Sequence, residues 1–227
     1  MPSLLFEIGC EELPASACRE AEAQLRERWL PELGEGTVYV GPRRVALLVS
    51  EVAEREPDRW MQGPPEHLRE KAAAGFARKQ GVTEDELEAR DGFLGVVVAG
   101  RPASEALPEK LAAVAHGLSF GKSMIWEKDG PRFSRPVRWL CAKLDRNTLH
   151  VEAAGLTSGR LTYGHRFTGG EVELPRADEY LDVLRAAGVE PDQDERRRQI
   201  VEGLDAIGGW RDPAGVIEEV VFLGVPA

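Results

Sequence analysis

The chain has 227 residues, 42% hydrophobic and 30% charged, enough apolar material for a real core arranged as one large domain or two small ones. Its 29 Lys+Arg against 39 Asp+Glu leave a formal charge of −10, which repels a polyanion overall and restricts any nucleic-acid contact to local patches. The longest apolar run, Leu94 to Ala99, is far short of a membrane span and no signal-peptide layout opens the chain, so a cytoplasmic protein without membrane association is expected.

Residues 3–9 alternate as a strand, and Pro14 to Leu33 carries helical spacing through Ala17, Ala21, Leu25 and Trp29, with Pro14 suited to a first turn. Thr37 to Val40 and Arg44 to Val52 read as two strands around a tight Gly41-Pro42 turn, and Gly63-Pro64-Pro65 ends the strand phase. A helix over 66–80 follows, with apolar positions at Leu68, Ala72 and Phe76 and a left-handed cap at Gly81. Phe93 to Val98 is a buried-type strand, and Glu105 to Leu118 a helix striped by Leu107, Leu111 and Val114. Val137 to Leu144 is the next strand, with Leu149 to Ala153 as its neighbour across an Asp145-Arg146-Asn147 turn.

From about residue 176 the pattern becomes helical. Asp178 caps a helix through Ala187 closed by Gly188, and Asp192 with Glu195 gives a capping-box-like start for a helix through Ile200, Leu204 and Ile207. These elements predict an α+β fold: a mixed or antiparallel sheet body over 1–175, then a helical segment over 176–227 that begins a following domain. The final EEVVFLGVPA is apolar and lacks a polar tail, which points to an N-terminal fragment of something longer.

The residues with chemical potential sort by charge and spacing. The segment from Gly117 to Lys122 resembles a phosphate loop, but only three residues separate Gly117 from Gly121 and the segment follows a helix, so it reads as a helix C-cap. Cys10-Glu11-Glu12 places a thiol beside two carboxylates that suppress its thiolate; the carboxylates favour the positive end of the following helix. All three cysteines, Cys10, Cys18 and Cys141, read as reduced thiols. The four histidines lack metal-ligand spacing, so no metal centre is expected.

Basic candidates remain: Arg43-Arg44 at a strand start, Lys79 near a helix C-terminus, and Lys122, Arg135 and Arg138 in the basic stretch 120–138. Tyr163-Gly164-His165-Arg166-Phe167 offers aromatics, an imidazole and a guanidinium behind a glycine, a mix for stacking on bases or gripping phosphate. It suits a β-turn with a satisfied histidine equally well. Arg196-Arg197-Arg198 points in three directions about 100° apart and reads as solvated surface.

Five words in order, LLFEIGCEELP at 4–14, GPRRVALLV at 41–49, GFARKQGV at 75–82, RPVRW at 135–139 and GHRF at 164–167, resemble one family, the β subunit of the bacterial two-subunit glycyl-tRNA synthetase. Two departures stand out: Cys10 replaces the family's threonine, a near-isosteric swap, and Ile125 replaces an arginine, so a contact there is not carried over. The resemblance implies a body similar to the B3/B4 editing module of phenylalanyl-tRNA synthetase. It also implies an α subunit that holds the ATP, Mg and glycine site, and an α2β2 assembly acting on tRNA(Gly).

This fragment then needs no cofactor and holds no catalytic residue. Its tRNA-binding candidates are Arg43, Arg44, Lys79, Lys122, Arg135, Arg138, His165 and Arg166. Three functions fit these residues: tRNA handling and subunit assembly, hydrolytic editing of mischarged tRNA, and a purely structural interaction domain.

Overall fold

The computed structural model describes residues 1–128 and 130–223; Asp129 and residues 224–227, the last part of the apolar terminal stretch, lie outside the described residues. By contact the chain forms two units, residues 1–54 with 104–227, and residues 55–103. The class is α+β with antiparallel sheets and several helices.

In the first unit, β1 (Leu4–Cys10), β2 (Gly36–Gly41) and β3 (Arg44–Val49) join Val137–Leu144 and Asn147–Thr148 in one sheet. Its order is Asn147–Thr148, Val137–Leu144, β1, β3, β2, and every pairing is antiparallel. All seven residues of the middle strand β1 are buried, so both faces of the sheet are covered there. On one face Leu5 packs with Tyr39, Ala46, Cys141, Leu174, Ala177, Tyr180 and Leu184. Gly9 sits opposite Trp139, and an added Cβ would fall 1.9 Å from the indole, so only glycine lets that ring lie on the strand.

The helix Ala15–Gln24 buries Ala17 and Ala21 and continues through a π-helical turn, Leu25–Trp29, that buries Leu25 and Trp29. Helix Ala103–Gly117 buries Leu107, Leu111 and Val114 as its stripe predicts. Across the turn Val137–Leu144 pairs with Asn147–Thr148, and of the expected Leu149–Ala153 the first residue continues the ladder, Leu149 N–H donating to the Ala142 carbonyl at 3.0 Å; Asp145 takes a left-handed φ of +50°, which closes the turn one residue earlier. Asp178 does not cap its helix. Its carboxylate takes the Arg176 guanidinium at 2.8 and 2.9 Å, and Tyr180–Ala186 follows a 3-10 turn over Ala177–Glu179.

Asp192 does cap Gln193–Ile207, accepting from the Asp194 and Glu195 N–H groups, but Glu195 turns to Arg198 and completes no capping box. The buried residues of this helix are Gln193 and Arg196, while Ile207 is 83% exposed. Arg196 therefore overturns its reading as solvated surface: polar atoms, not the apolar stripe, tie this helix down.

The second unit is a three-stranded antiparallel sheet ordered Arg59–Pro65, Phe93–Val98, Glu88–Arg90, with the helix Arg69–Gln80 closing at Gly81, φ +74°. Gly63-Pro64-Pro65 forms the last three residues of the first of these strands, which stops at Pro65 before the helical turn Glu66–Leu68, as a strand-ending signal requires. The strand is an edge, and its register shifts between Gln62 and Pro65, the two conditions that accommodate proline in a sheet. The helix buries Ala73 and Ala77, one position beyond the expected stripe, against Leu87, Leu94 and Val96. Small alanines lie closest to the sheet, and the bulkier Phe76 packs at the edge.

Candidate functional site

Glu7 on β1 is wholly buried, and its two carboxylate oxygens collect four donors. Trp139 Nε1 at 2.5 Å and Thr162 Oγ1 at 2.6 Å donate to Oε1; Tyr180 OH at 2.5 Å and Arg44 Nη1 at 3.3 Å donate to Oε2. Arg44 also donates to Thr162 Oγ1 at 3.3 Å and to the Tyr163 carbonyl at 2.5 Å. A buried carboxylate is tolerated when a cation and several hydrogen bonds replace its water. Arg44, nominated for RNA, is spent on this network, which fixes the strand Leu161–Tyr163 against the main sheet.

That strand leads into the loop carrying His165, Arg166 and Phe167, which is closed by Gly164 N–H to the Gly170 carbonyl at 3.0 Å and Gly169 N–H to the His165 carbonyl at 2.8 Å. A Cβ at Gly169 would meet the His165 nitrogen at 2.5 Å, so the turn is compact enough to require glycine. His165 N–H donates to the Ala187 carbonyl at 3.0 Å, pinning the loop to the end of helix Tyr180–Ala186. The imidazole Nδ1 lies 2.8 Å from Thr168 Oγ1, and Phe167 stands 85% exposed.

Opposite this loop, the turn between β2 and β3 presents Arg43. Its backbone is held to the start of the chain by Cys10 N–H to the Arg43 carbonyl at 2.9 Å and Leu13 N–H to the Pro42 carbonyl at 2.6 Å. Between turn and loop lies a pocket of about 300 Å³ bordered by Arg43, Arg44, His165, Arg166, Arg196 and Glu12. Four nominated residues from two distant words therefore share one cavity. Arg196, which sequence reasoning left on the surface, forms part of its wall.

Arg166 and one further candidate, Arg138, meet at the carboxylates of the first word. Arg166 ion-pairs with Glu12 and lies 3.8 Å from Glu11, while Arg138 Nε sits 2.8 Å from the other oxygen of Glu11. The Arg138 guanidinium holds the Glu11 carboxyl below the usual carboxylate range. Glu11 and Glu12 thus answer basic side chains far along the chain, and not the helix end assigned to them. Arg135 is exposed with Nη1 on the Ser134 carbonyl, Lys122 is exposed, and neither borders this pocket. Lys79 is an exposed residue of the second unit.

The Gly121 N–H is occupied by Glu20 Oε2 at 2.9 Å, and the helix ends at Gly117, as a cap reading requires. The three cysteines are buried free thiols. Burial is the chief cause that raises each pKa, with Cys18 pushed up to about 12. Among the described residues no group of three His, Cys, Asp or Glu side chains is placed to hold a metal, and no helix is long and apolar enough to cross a membrane.

Comparison with known proteins matches residues 4–223 to the family described as glycyl-tRNA synthetase beta subunit. The chain is 38% identical to the glycine--tRNA ligase beta subunit of Moorella thermoacetica, over 97% of this chain and 36% of that protein. It is 35% identical to that of Acidobacterium capsulatum, over 98% and 36%, and 32% identical to that of Thermotoga petrophila, over 90% and 33%. The chain thus spans about a third of the length of the curated relatives it matches. It belongs to the glycyl-tRNA synthetase beta subunit family.

Proposed function

We propose that this chain is a tRNA-handling and assembly part of a glycine–tRNA ligase. Its partner α subunit carries the ATP- and Mg-dependent attachment of glycine, and the two assemble as a cytoplasmic α2β2 enzyme. The likeness to a B3/B4 module belongs to the same proposal. The observation that supports it best is the convergence of Arg43, His165 and Arg166 on one pocket beside the exposed Phe167, on a chain whose net charge is −10. Local cations in an acidic surface grip phosphates without attracting polyanions everywhere, and an exposed aromatic ring stacks on any unpaired base.

Hydrolytic editing has less behind it. His165 Nδ1 is engaged locally by Thr168 Oγ1 at 2.8 Å and Thr168 N–H at 3.4 Å, and no side chain among the described residues is seen to orient the imidazole as a base. The test is glycine charging by the longer β subunit with its α partner. Phe167→Ala and Arg166→Ala should raise the KM for tRNA with little change in the KM for glycine. Unchanged charging in both variants would count against the proposal.

A further inference from the structure

The pocket wall carries more positive charge than its own carboxylates answer. Arg44 is matched by Glu7, Arg166 by Glu12, and the buried Glu190 by Arg185 at 2.8 Å. Two guanidiniums are left. Among the described residues Arg196 donates to the carbonyls of Val221, Glu190 and Val40, at 2.8, 2.7 and 2.5 Å, and to no carboxylate. Arg43 has no hydrogen-bond or ion-pair partner for its guanidinium among the described residues. Its Nε is buried and unpaired, its guanidinium lies 5.7 Å from the centre of the Trp139 ring, and Glu11 and Glu12 act on it through space without bonding to it. Burial, followed by the neighbouring cations Arg44 and Arg166, lowers the Arg43 pKa, as expected where positive charge is crowded. A half-buried cation with an orphaned donor costs stability unless an anion completes it.

From this geometry we infer that the pocket seats one phosphate group between Arg43 and Arg166, and that the Glu12 carboxylate is the internal stand-in which the phosphate displaces. Glu12 borders the pocket and its side chain is more than half exposed, so it can swing away without disturbing the core. Glu11, fixed to Arg138 at 2.8 Å, stays where it is. The inference rests on the tRNA-handling reading and adds to it the phosphate seat and its competitor. Binding at this seat exchanges one carboxylate–guanidinium pair for a phosphate–guanidinium pair and newly satisfies Arg43. The gain therefore comes mainly from Arg43, with Glu12 setting a threshold that weak anions do not pass.

The experiment measures binding of unmodified tRNA(Gly) to the wild-type chain and to Glu12→Gln, Arg43→Ala and Arg138→Ala, with inorganic phosphate as a separate competitor at constant ionic strength. Glu12→Gln should tighten tRNA binding about 2- to 5-fold, the effect of removing one exposed competing ion pair. Arg43→Ala should weaken it about 10-fold and lower the salt slope by about 1, with Arg138→Ala changing it less. Inorganic phosphate should displace tRNA from Arg43→Ala less effectively than from the wild type. If tRNA binds but Glu12→Gln leaves affinity unchanged or weaker, or Arg43→Ala binds as well as wild type, the seat is wrong and the tRNA reading survives. Phosphate binding without tRNA binding would overturn RNA as its source. No tRNA binding in any variant would sink both.

Discussion

Glu7 and Arg44 lie 37 residues apart in sequence, and their side chains meet at 3.3 Å inside the first unit, with both buried. The pair is the pivot between sheet and pocket, because the same Arg44 holds Thr162 and Tyr163 directly before the His165 loop. Glu7→Gln leaves Arg44 as an uncompensated buried charge and should cost about 3–5 kcal/mol, as should Arg44→Met for Glu7. Urea unfolding checks this. The double variant Glu7→Gln with Arg44→Met should recover part of the loss, and strict additivity would mean that the two are not coupled.

Gly169→Ala separates folding from function. The new methyl meets backbone at 2.5 Å within a loop at the edge of the pocket, so the loop must reshape while the sheet is untouched. The expected result is a near-native melting temperature with markedly weaker tRNA binding. Gly9→Ala, whose methyl meets the Trp139 ring at 1.9 Å in the core, should instead destabilise by about 2 kcal/mol or more.

The arginine triplet should divide sharply. Arg196→Leu strips donors from three carbonyls in a buried setting and is expected to cost about 3 kcal/mol. Arg198, exposed and paired with Glu195 and Glu202 on its own helix, should change stability by less than about 0.5 kcal/mol when replaced by Ala. Chemical denaturation of the two variants side by side tests the contrast.

The buried thiols make a pH prediction with a definite sign. Burial raises the folded thiols above their unfolded value, Cys18 to about 12. Their contribution is complete below the unfolded thiol's pKa of about 8.5 and is lost as pH rises from there toward the folded value, because only the unfolded chain gains thiolates. Unfolding free energy should fall between pH 8.5 and 10.5. A thiol reagent at pH 8 should label none of Cys10, Cys18 and Cys141 until urea is added.

Much of both sheets was legible in sequence because their strands are contiguous apolar runs: Phe93–Val98 and Val137–Leu144 match their expected bounds, and β1 is shifted by one residue at each end. The edge strand Arg59–Pro65 was not, since its residues are half-exposed and proline argues against a strand when only local rules are applied. The charges were hardest. Arg196 looks like its neighbours in sequence, and only the arrival of carbonyls from Val40 and Val221 makes it a core residue. Glu11 and Arg138 are 127 positions apart, so the pairing that holds Arg138 has no local signal. The words GPRR and GHRF were visible separately, and that they face one cavity is a property of the sheet between them.

The most direct test of the account is a salt titration of tRNA(Gly) binding to this chain, wild type against Arg166→Ala. Binding at low salt should weaken linearly on logarithmic axes, with Arg166→Ala weaker by about 1–3 kcal/mol and its slope shallower by about 1. A chain that does not bind tRNA at low salt, or an Arg166→Ala variant with wild-type affinity and slope, would contradict it.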